Sequence, residues 1–334
     1  MTGIDIEPGL PPVQYLPDGK PRRVGVELEM NGLEIGELAR LAADFFGLQV
    51  EETSRYERTL KGDPAGDWVV ELDFRLLKRL GREHRDADDF GDEIMNSAEE
   101  LLKWAADPLV PVELVSPPLP MGRLGQVNDL IARLREAGAK GTADRMTNAF
   151  GMQFNPEVPD HDPETIAAYL KAFFCLFDWI SARAKINMTR RLTAFAEPFP
   201  GPYIRHMVNP FYWPDMPTLI EDYLRYNPTR NRALDMLPLF KHLDPDRVAA
   251  HTGDELIKSR PTFHYRLPDC RIDQPGWGLH IAWNDWLEVE RLAADRDRLD
   301  ACCRAYCAHL DQTLGRLLSR WIDQIERNWL SDPK

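Results

Sequence analysis

Two carboxylates set two residues apart are the first residues in this chain that could do chemistry. Val24-Gly25-Val26-Glu27-Leu28-Glu29-Met30 alternates strictly between apolar and polar side chains, the period of a β-strand covered on one face. Val26, Leu28 and Met30 then share one face, and Glu27 and Glu29 the other. Carboxylates about 7 Å apart repel by about 2 kcal/mol at an effective dielectric of about 20. A divalent cation between them removes that cost, so the pair is a candidate metal site.

The same period returns along the chain. Trp68-Val69-Val70-Glu71-Leu72-Asp73-Phe74 offers Glu71 and Asp73, and Val112-Glu113-Leu114-Val115-Ser116 offers Glu113. Phe150-Gly151-Met152-Gln153-Phe154-Asn155 offers Gln153 and Asn155, and Thr262-Phe263-His264-Tyr265-Arg266-Leu267 offers His264 and Arg266. Side by side, these strands make a sheet with one apolar face under helices and one polar, carboxylate-rich face. An antiparallel sheet whose polar face meets water would explain any single strand. The set fits that explanation less well, because five acidic groups (Glu27, Glu29, Glu71, Asp73, Glu113) gather on three strands, whereas exposed sheet faces usually mix signs. Carboxylates and imidazole suit a bound cation, and arginines suit an anion held beside it. Arg230 and Arg232, with Arg225, surround Tyr226-Asn227-Pro228, and Arg190 and Arg191 follow a long apolar helix. Arg230 is the favoured anion ligand of this group, with Asn227 and Asn231 placed to orient it.

The elements that must position these groups are readable in outline. Residues 1–20 form a polar, proline-containing arm, flexible or draped, and residues 21–334 a single domain. Glu34 to Phe46 reads as an amphipathic helix with Ile35, Leu38, Leu41, Ala42 and Phe45 on one stripe and Gly47 as its stop. Arg82 to Asp92 reads as a charged loop and Glu93 to Ala105 as a helix. Leu124 to Ala137 is a helix closed by Gly138. Asp162 caps a long apolar helix with Pro163 in its first turn, running to about Arg183. Phe195 to Pro217 reads as an ordered loop, Thr218 to Phe240 as two short helices, and about 278–330 as helical. The fold class is α+β, with a curved, mainly antiparallel sheet and helices on one face.

Composition narrows the function. The chain has 334 residues, with 41 basic against 54 acidic side chains and a net charge of −13, which argues against a nucleic-acid partner. No run of about 18 apolar residues reads as a membrane span. Five cysteines fit no secreted disulfide framework, and a reduced cytoplasm is the expected setting. Cys303, Cys307 and His309 lack the ligands of a zinc site. There is no P-loop, no dinucleotide-binding glycine run in the right context and no nucleophile elbow. The C-terminal tryptophans Trp286, Trp321 and Trp329 suit burial within the chain or against a second copy in a homo-oligomer.

Taken in order, Gly25-Val26-Glu27-Leu28-Glu29-Met30, Trp68-x-Val70-x-x-Asp73, Glu113-Leu114-Val115-Ser116-Pro117, Gly151-Met152-Gln153-Phe154-Asn155 and Phe263-His264-Tyr265-Arg266-Leu267-Pro268 resemble the amidoligase family over roughly residues 22 to 290. These are carboxylate–amine ligases related to glutamine synthetase and glutamate–cysteine ligase. The resemblance implies a glutamine synthetase-like catalytic fold and ATP with Mg²⁺ or Mn²⁺. It implies an amide bond formed through an acyl phosphate, between a small-molecule or peptide carboxylate and an amine. It places the metal at Glu27, Glu29, Glu113, Gln153 and His264, and nucleotide at Arg230, Arg232, Asn155 and Arg266. Arg266 and Arg230 act on the transferring phosphoryl group, and Glu71 and Asp73 lie at the substrate. Gln153 stands where relatives often carry His, and His264 where they carry Glu. Asp73-Phe74-Arg75 departs from the usual Asp-Gly-Ser. These departures motivate an alternative, a non-catalytic binding protein on the same fold with a degraded metal site. A carboxylate-pair hydrolase, needing no nucleotide, is a further rival.

Overall fold

The computed structural model describes residues 7–72, 111–141, 151–184, 197–311 and 317–331. Asp73, Arg190, Arg191 and the elements expected over Arg82 to Asp92 and Glu93 to Ala105 lie outside these residues.

A seven-stranded sheet forms the centre. Its strands are β1 (Arg23–Met30), β2 (Gln49–Ser54), β3 (Glu57–Lys61), β4 (Trp68–Leu72), β5 (Val112–Val115), β6 (Leu119–Pro120) and β7 (Met152–Pro156), and every pairing is antiparallel. The order is β2-β3-β4-β5-β1, with β7 on the other side of β1 and β6 beside the start of β1. Proline explains the break between β5 and β6: Pro117 has no N–H to give the ladder. Ser116 repairs the gap. Its N–H donates to Val26 O at 2.9 Å and its Oγ accepts from Val26 N at 2.8 Å, which holds the neighbours of Glu27 in register.

Ten helices surround the sheet among the described residues: α1 (Ile35–Phe46), α2 (Leu124–Glu136), α3 (Pro163–Ala184), α4 (Gly201–Met207), α5 (Met216–Tyr226), α6 (Leu237–Leu243), α7 (Pro245–His251), α8 (Leu279–Ala293), α9 (Arg296–Asp311) and α10 (Leu317–Gln324). The boundaries follow local chemistry. Asp162 Oδ1 accepts from Glu164 N at 2.8 Å to start α3. Gly47 ends α1 at φ 70°, a left-handed conformation that glycine adopts without a Cβ clash. The α1 stripe is rotated from expectation: Leu38, Ala39, Ala42 and Ala43 are buried, Phe45 is exposed, and Phe46 stacks on Trp68 with ring centroids 4.7 Å apart.

The alternating strands bury their apolar face as the pattern requires. Val24, Val26, Leu28, Met30, Met152 and Phe154 are buried, and α3 and α8 cover this side, with Trp283 5.5 Å from Phe154. Helix α3 is long and apolar enough to cross a membrane by length and composition, yet 72% of its most apolar window is buried inside the protein. That apolarity arises because α3 is packed among other helices, against α8, α9, α4 and α10.

Two expectations are corrected, and a third is narrowed from its two alternatives to one. Phe195 to Pro217 is not all loop, since α4 forms within it where Pro202 can take an early helical position. Thr262 to Leu267 runs along β7 only as isolated bridges, Phe154 to Tyr265 and Glu157 to Thr262. Tyr265 also pairs with Leu234, and prolines at 261 and 268 bracket the segment. The described part of the N-terminal arm is draped rather than loose: Gly9 N donates to Asn284 Oδ1 at 2.9 Å, and Trp283 Nε1 donates to Gly9 O at 2.8 Å.

Candidate active site

Directly opposed residues of antiparallel strands share a face, so register decides which polar groups meet. Glu29 is opposite Glu113, Glu113 opposite Glu71, and Glu71 opposite Glu57. Four carboxylates thus form a row across β1, β5, β4 and β3. Glu57 is a member that the sequence reading missed, although it lies two residues from Thr59 on a strand of period two. In the next row Glu27 is opposite Gln153, and beyond it Gly25 is opposite Asn155.

This face does not simply meet water at its centre. Glu113 is 0% exposed, Glu27 and Glu29 are each 6% exposed, and Gln153, Asn155 and His264 are also buried. Buried carboxylates demand partners. Glu29 Oε2 accepts from Gly151 N at 2.7 Å, and Glu29 Oε1 from Gln153 Nε2 at 3.1 Å. Gln153 Oε1 in turn accepts from His264 Nε2 at 2.7 Å. Glu27 Oε1 accepts from Asn155 Nδ2 at 2.8 Å and lies 3.7 Å from Arg260 Nη1.

Two members of this site had no place in the sequence reading. Asp235, fully buried, puts Oδ2 3.4 Å from His264 Nδ1, and its Oδ1 accepts from Leu237 N at 3.0 Å. Burial pushes its carboxyl up to about 6, and the nearby Arg266, Arg230 and Arg260 charges pull against that rise. The signal for Asp235 was a charged residue inside the apolar run Leu234 to Leu239. Arg260 continues the period-two series Thr262, His264, Arg266 backwards across Pro261.

The expected arginines are placed less uniformly. Arg266 donates to the Arg230 carbonyl, and both side chains lie close enough to act on Asp235. Arg230 Nε donates to Asp254 Oδ2 at 2.6 Å. Arg232 instead ties the chain to Pro198 O at 2.7 Å and Glu197 Oε2 at 3.4 Å, with its guanidinium 5.7 Å from the Phe199 ring centroid. Asn227 does not orient Arg230: it is fully buried and donates to Tyr223 O at 3.2 Å. Cys303 lies in the core, 3.8 Å from Cys175 sulfur to sulfur.

The profile of the family described as "Putative amidoligase enzyme" matches residues 20–288. The chain belongs to the amidoligase family. The matched span opens just before β1 and closes within α8, and it takes in every polar-face residue named above. A comparison with curated proteins gives no match.

The cation expected from the family resemblance can be set against the donors that the polar face offers. Glu27, Glu29 and Glu113 supply the hard carboxylate oxygens that Mg²⁺ prefers. The donor chemistry therefore fits. Among the described residues, no three His, Cys, Asp or Glu side chains are grouped as metal ligands. Glu27 and Glu29 turn instead towards the amides of Asn155, Gln153 and Gly151. A cavity of about 530 Å³, bounded by Trp179, Arg183, Trp277 and Asp285, lies away from these carboxylates beside the ends of α3 and α8.

Proposed function

We propose that this amidoligase is an ATP-dependent carboxylate–amine ligase that forms an amide bond through an acyl phosphate. The observation that carries the reading is the buried acidic row, Glu29 opposite Glu113 with Glu27 one step along β1, beside a group of arginines. Burying three carboxylates on one sheet face is costly unless positive charge joins them. Glu27, Glu29 and Glu113 are the residues that would hold Mg²⁺ or Mn²⁺, which supplies charge neutralisation for phosphate oxygens when bound. Gln153 and His264 then act one layer out, holding Glu29 through the Gln153 amide.

In the proposed reaction, the carboxylate oxygen of one substrate takes the γ-phosphoryl group and ADP leaves. The amine nitrogen of the second attacks the acyl carbon, loses a proton, and phosphate leaves. Such chemistry is governed by positioning and charge. Arg266 and Arg230, whose charges act on Asp235 beside His264, would supply cationic donors for the transferring group. Arg232 supports the loop carrying Arg230, and Glu71, next to Glu113, borders the substrate.

A second reading, a non-catalytic binding protein on the same fold, is favoured by one observation. Gln153 and His264 bond to each other, and among the described residues neither belongs to a group of three metal-ligating His, Cys, Asp or Glu side chains. One experiment separates the two. Given Mg²⁺, ATP, a mixture of amino acids and dicarboxylic acids, and hydroxylamine as the nitrogen nucleophile, the protein is expected to yield a hydroxamate with ADP in equal amount. Glu29→Gln should lose both products. ATP left intact under these conditions would favour the binding protein.

A further inference from the structure

Gly25 is an oddity on the polar face. A glycine inside a central strand weakens it and often marks a place where a ligand comes close. A Cβ built at Gly25 would meet only Asn155, with its nearest atoms at 3.5 and 3.6 Å. Gly25 is also partly exposed, while its neighbours Glu27 and Asn155 are buried. The face therefore opens to solvent at this glycine.

The surrounding groups have unmet hydrogen-bonding capacity. Among the described residues, Asn155 Oδ1, Thr262 Oγ1 and Arg260 Nε are buried polar atoms without a hydrogen-bond partner. Leaving such atoms unpaired is unfavourable. Asn155 and Arg260 are brought together by Glu27, whose Oε1 is 2.8 Å from Asn155 Nδ2 and 3.7 Å from Arg260 Nη1. Thr262 lies two residues from Arg260 and two from His264, on the same side of its segment.

These groups specify a ligand. Asn155 Oδ1 needs a donor, and Glu27 beside it favours that donor carrying positive charge. Arg260 Nε needs an acceptor, and its charge favours a carboxylate. Thr262 Oγ1 can serve either. A neutral ring edge would satisfy the hydrogen bonds but not the charges. We infer that the slot over Gly25 binds the ammonium and carboxylate of a free α-amino acid, with Asn155 Oδ1 accepting from the ammonium and Arg260 and Thr262 on the carboxylate, while Glu27 stays with the cation. This reassigns Asn155 from nucleotide to substrate. It rests on the ligase reading, for which it names one substrate class.

The test is calorimetric titration of the whole protein with each common L-amino acid, without nucleotide. At least one should bind at about 10 mM or below. Its deaminated and decarboxylated analogues should bind at least about tenfold more weakly. Gly25→Val, which fills the slot, should weaken binding by about tenfold or more while the melting temperature holds. Gly25→Ala, whose methyl fits at van der Waals distance, should fold as wild type and lose less. Arg260→Gln serves if Gly25→Val does not fold, and should also weaken binding about tenfold. Binding by no amino acid, or equal binding by the wild type and whichever of Gly25→Val and Arg260→Gln folds, overturns the inference. A parallel titration with a non-hydrolysable ATP analogue separates the two readings. Nucleotide bound without amino acid sinks the slot alone, and amino acid bound without nucleotide sinks the ligase.

Discussion

At the scale of single residues, the site is a chain of hydrogen bonds rather than a ring of ligands. Gln153 is its hinge: its Nε2 donates to Glu29 and its Oε1 accepts from His264. Gln153→Leu removes both bonds and leaves buried polar groups unpaired, which is expected to cost about 1–3 kcal/mol. The midpoint of urea unfolding should fall accordingly, and an unchanged midpoint would show that the chain of bonds adds nothing. Much of this site was legible. Glu27, Glu29, Glu113, Gln153, Asn155 and His264 were found because strand alternation sorts side chains onto faces before any pairing is known. Asp235 and Glu57 were not found, because their roles depend on pairing. Asp235 meets His264 only because the bridge of Leu234 with Tyr265 sets the two segments side by side. Glu57 joins the acidic row only through the β3–β4 register.

At the scale of elements, turns and caps keep the acidic row in register. Asp63, between β3 and β4, receives Arg123 Nη1 and Nη2 at 2.7 and 2.8 Å, Trp68 Nε1 at 3.0 Å and Ala65 N at 2.8 Å. The Arg123 fork, above all, holds its carboxyl well below the usual range. A lowered native pKa stabilises the fold above the unfolded value of 3.8 and is lost as pH falls through and below it. Asp63→Asn should therefore destabilise by roughly 2 kcal/mol at neutral pH. The gap from wild type should narrow as pH drops below about 4. Melting curves of both proteins across pH check this, and a gap that widened in acid would contradict it. Elements with strong local signals, α1 to α3 among them, were legible from capping and glycine stops. Helix α4 was hidden among prolines, and the segment after Pro261 reads as a strand but is shared between β7 and Leu234.

At the scale of the whole molecule, a buried ion pair joins sheet, helices and arm. Glu290 on α8 accepts from Arg22 Nη1 at 2.8 Å and Nη2 at 3.1 Å, Tyr169 on α3 at 2.9 Å and Trp286 at 2.9 Å. Arg22 also donates to Val13 O in the arm at 2.6 Å. Nothing in the sequence pairs residues so far apart. Glu290→Ala strands a buried guanidinium and should cost about 3–5 kcal/mol, whereas Arg22→Met with Glu290→Leu should recover most of it. Denaturant titrations of the single and double variants test this, and a single variant as stable as wild type would refute it. The same frame presents β1 to the acidic row, on which the proposed metal–nucleotide site rests. The most direct measurement is calorimetric binding of a non-hydrolysable ATP analogue to wild type and Glu27→Ala, with Mg²⁺, with Mn²⁺ and with chelator. Binding that requires the cation and is lost in Glu27→Ala is the predicted result. No binding with either cation, or binding equal in chelator and in Glu27→Ala, would contradict a metal–nucleotide site on this face.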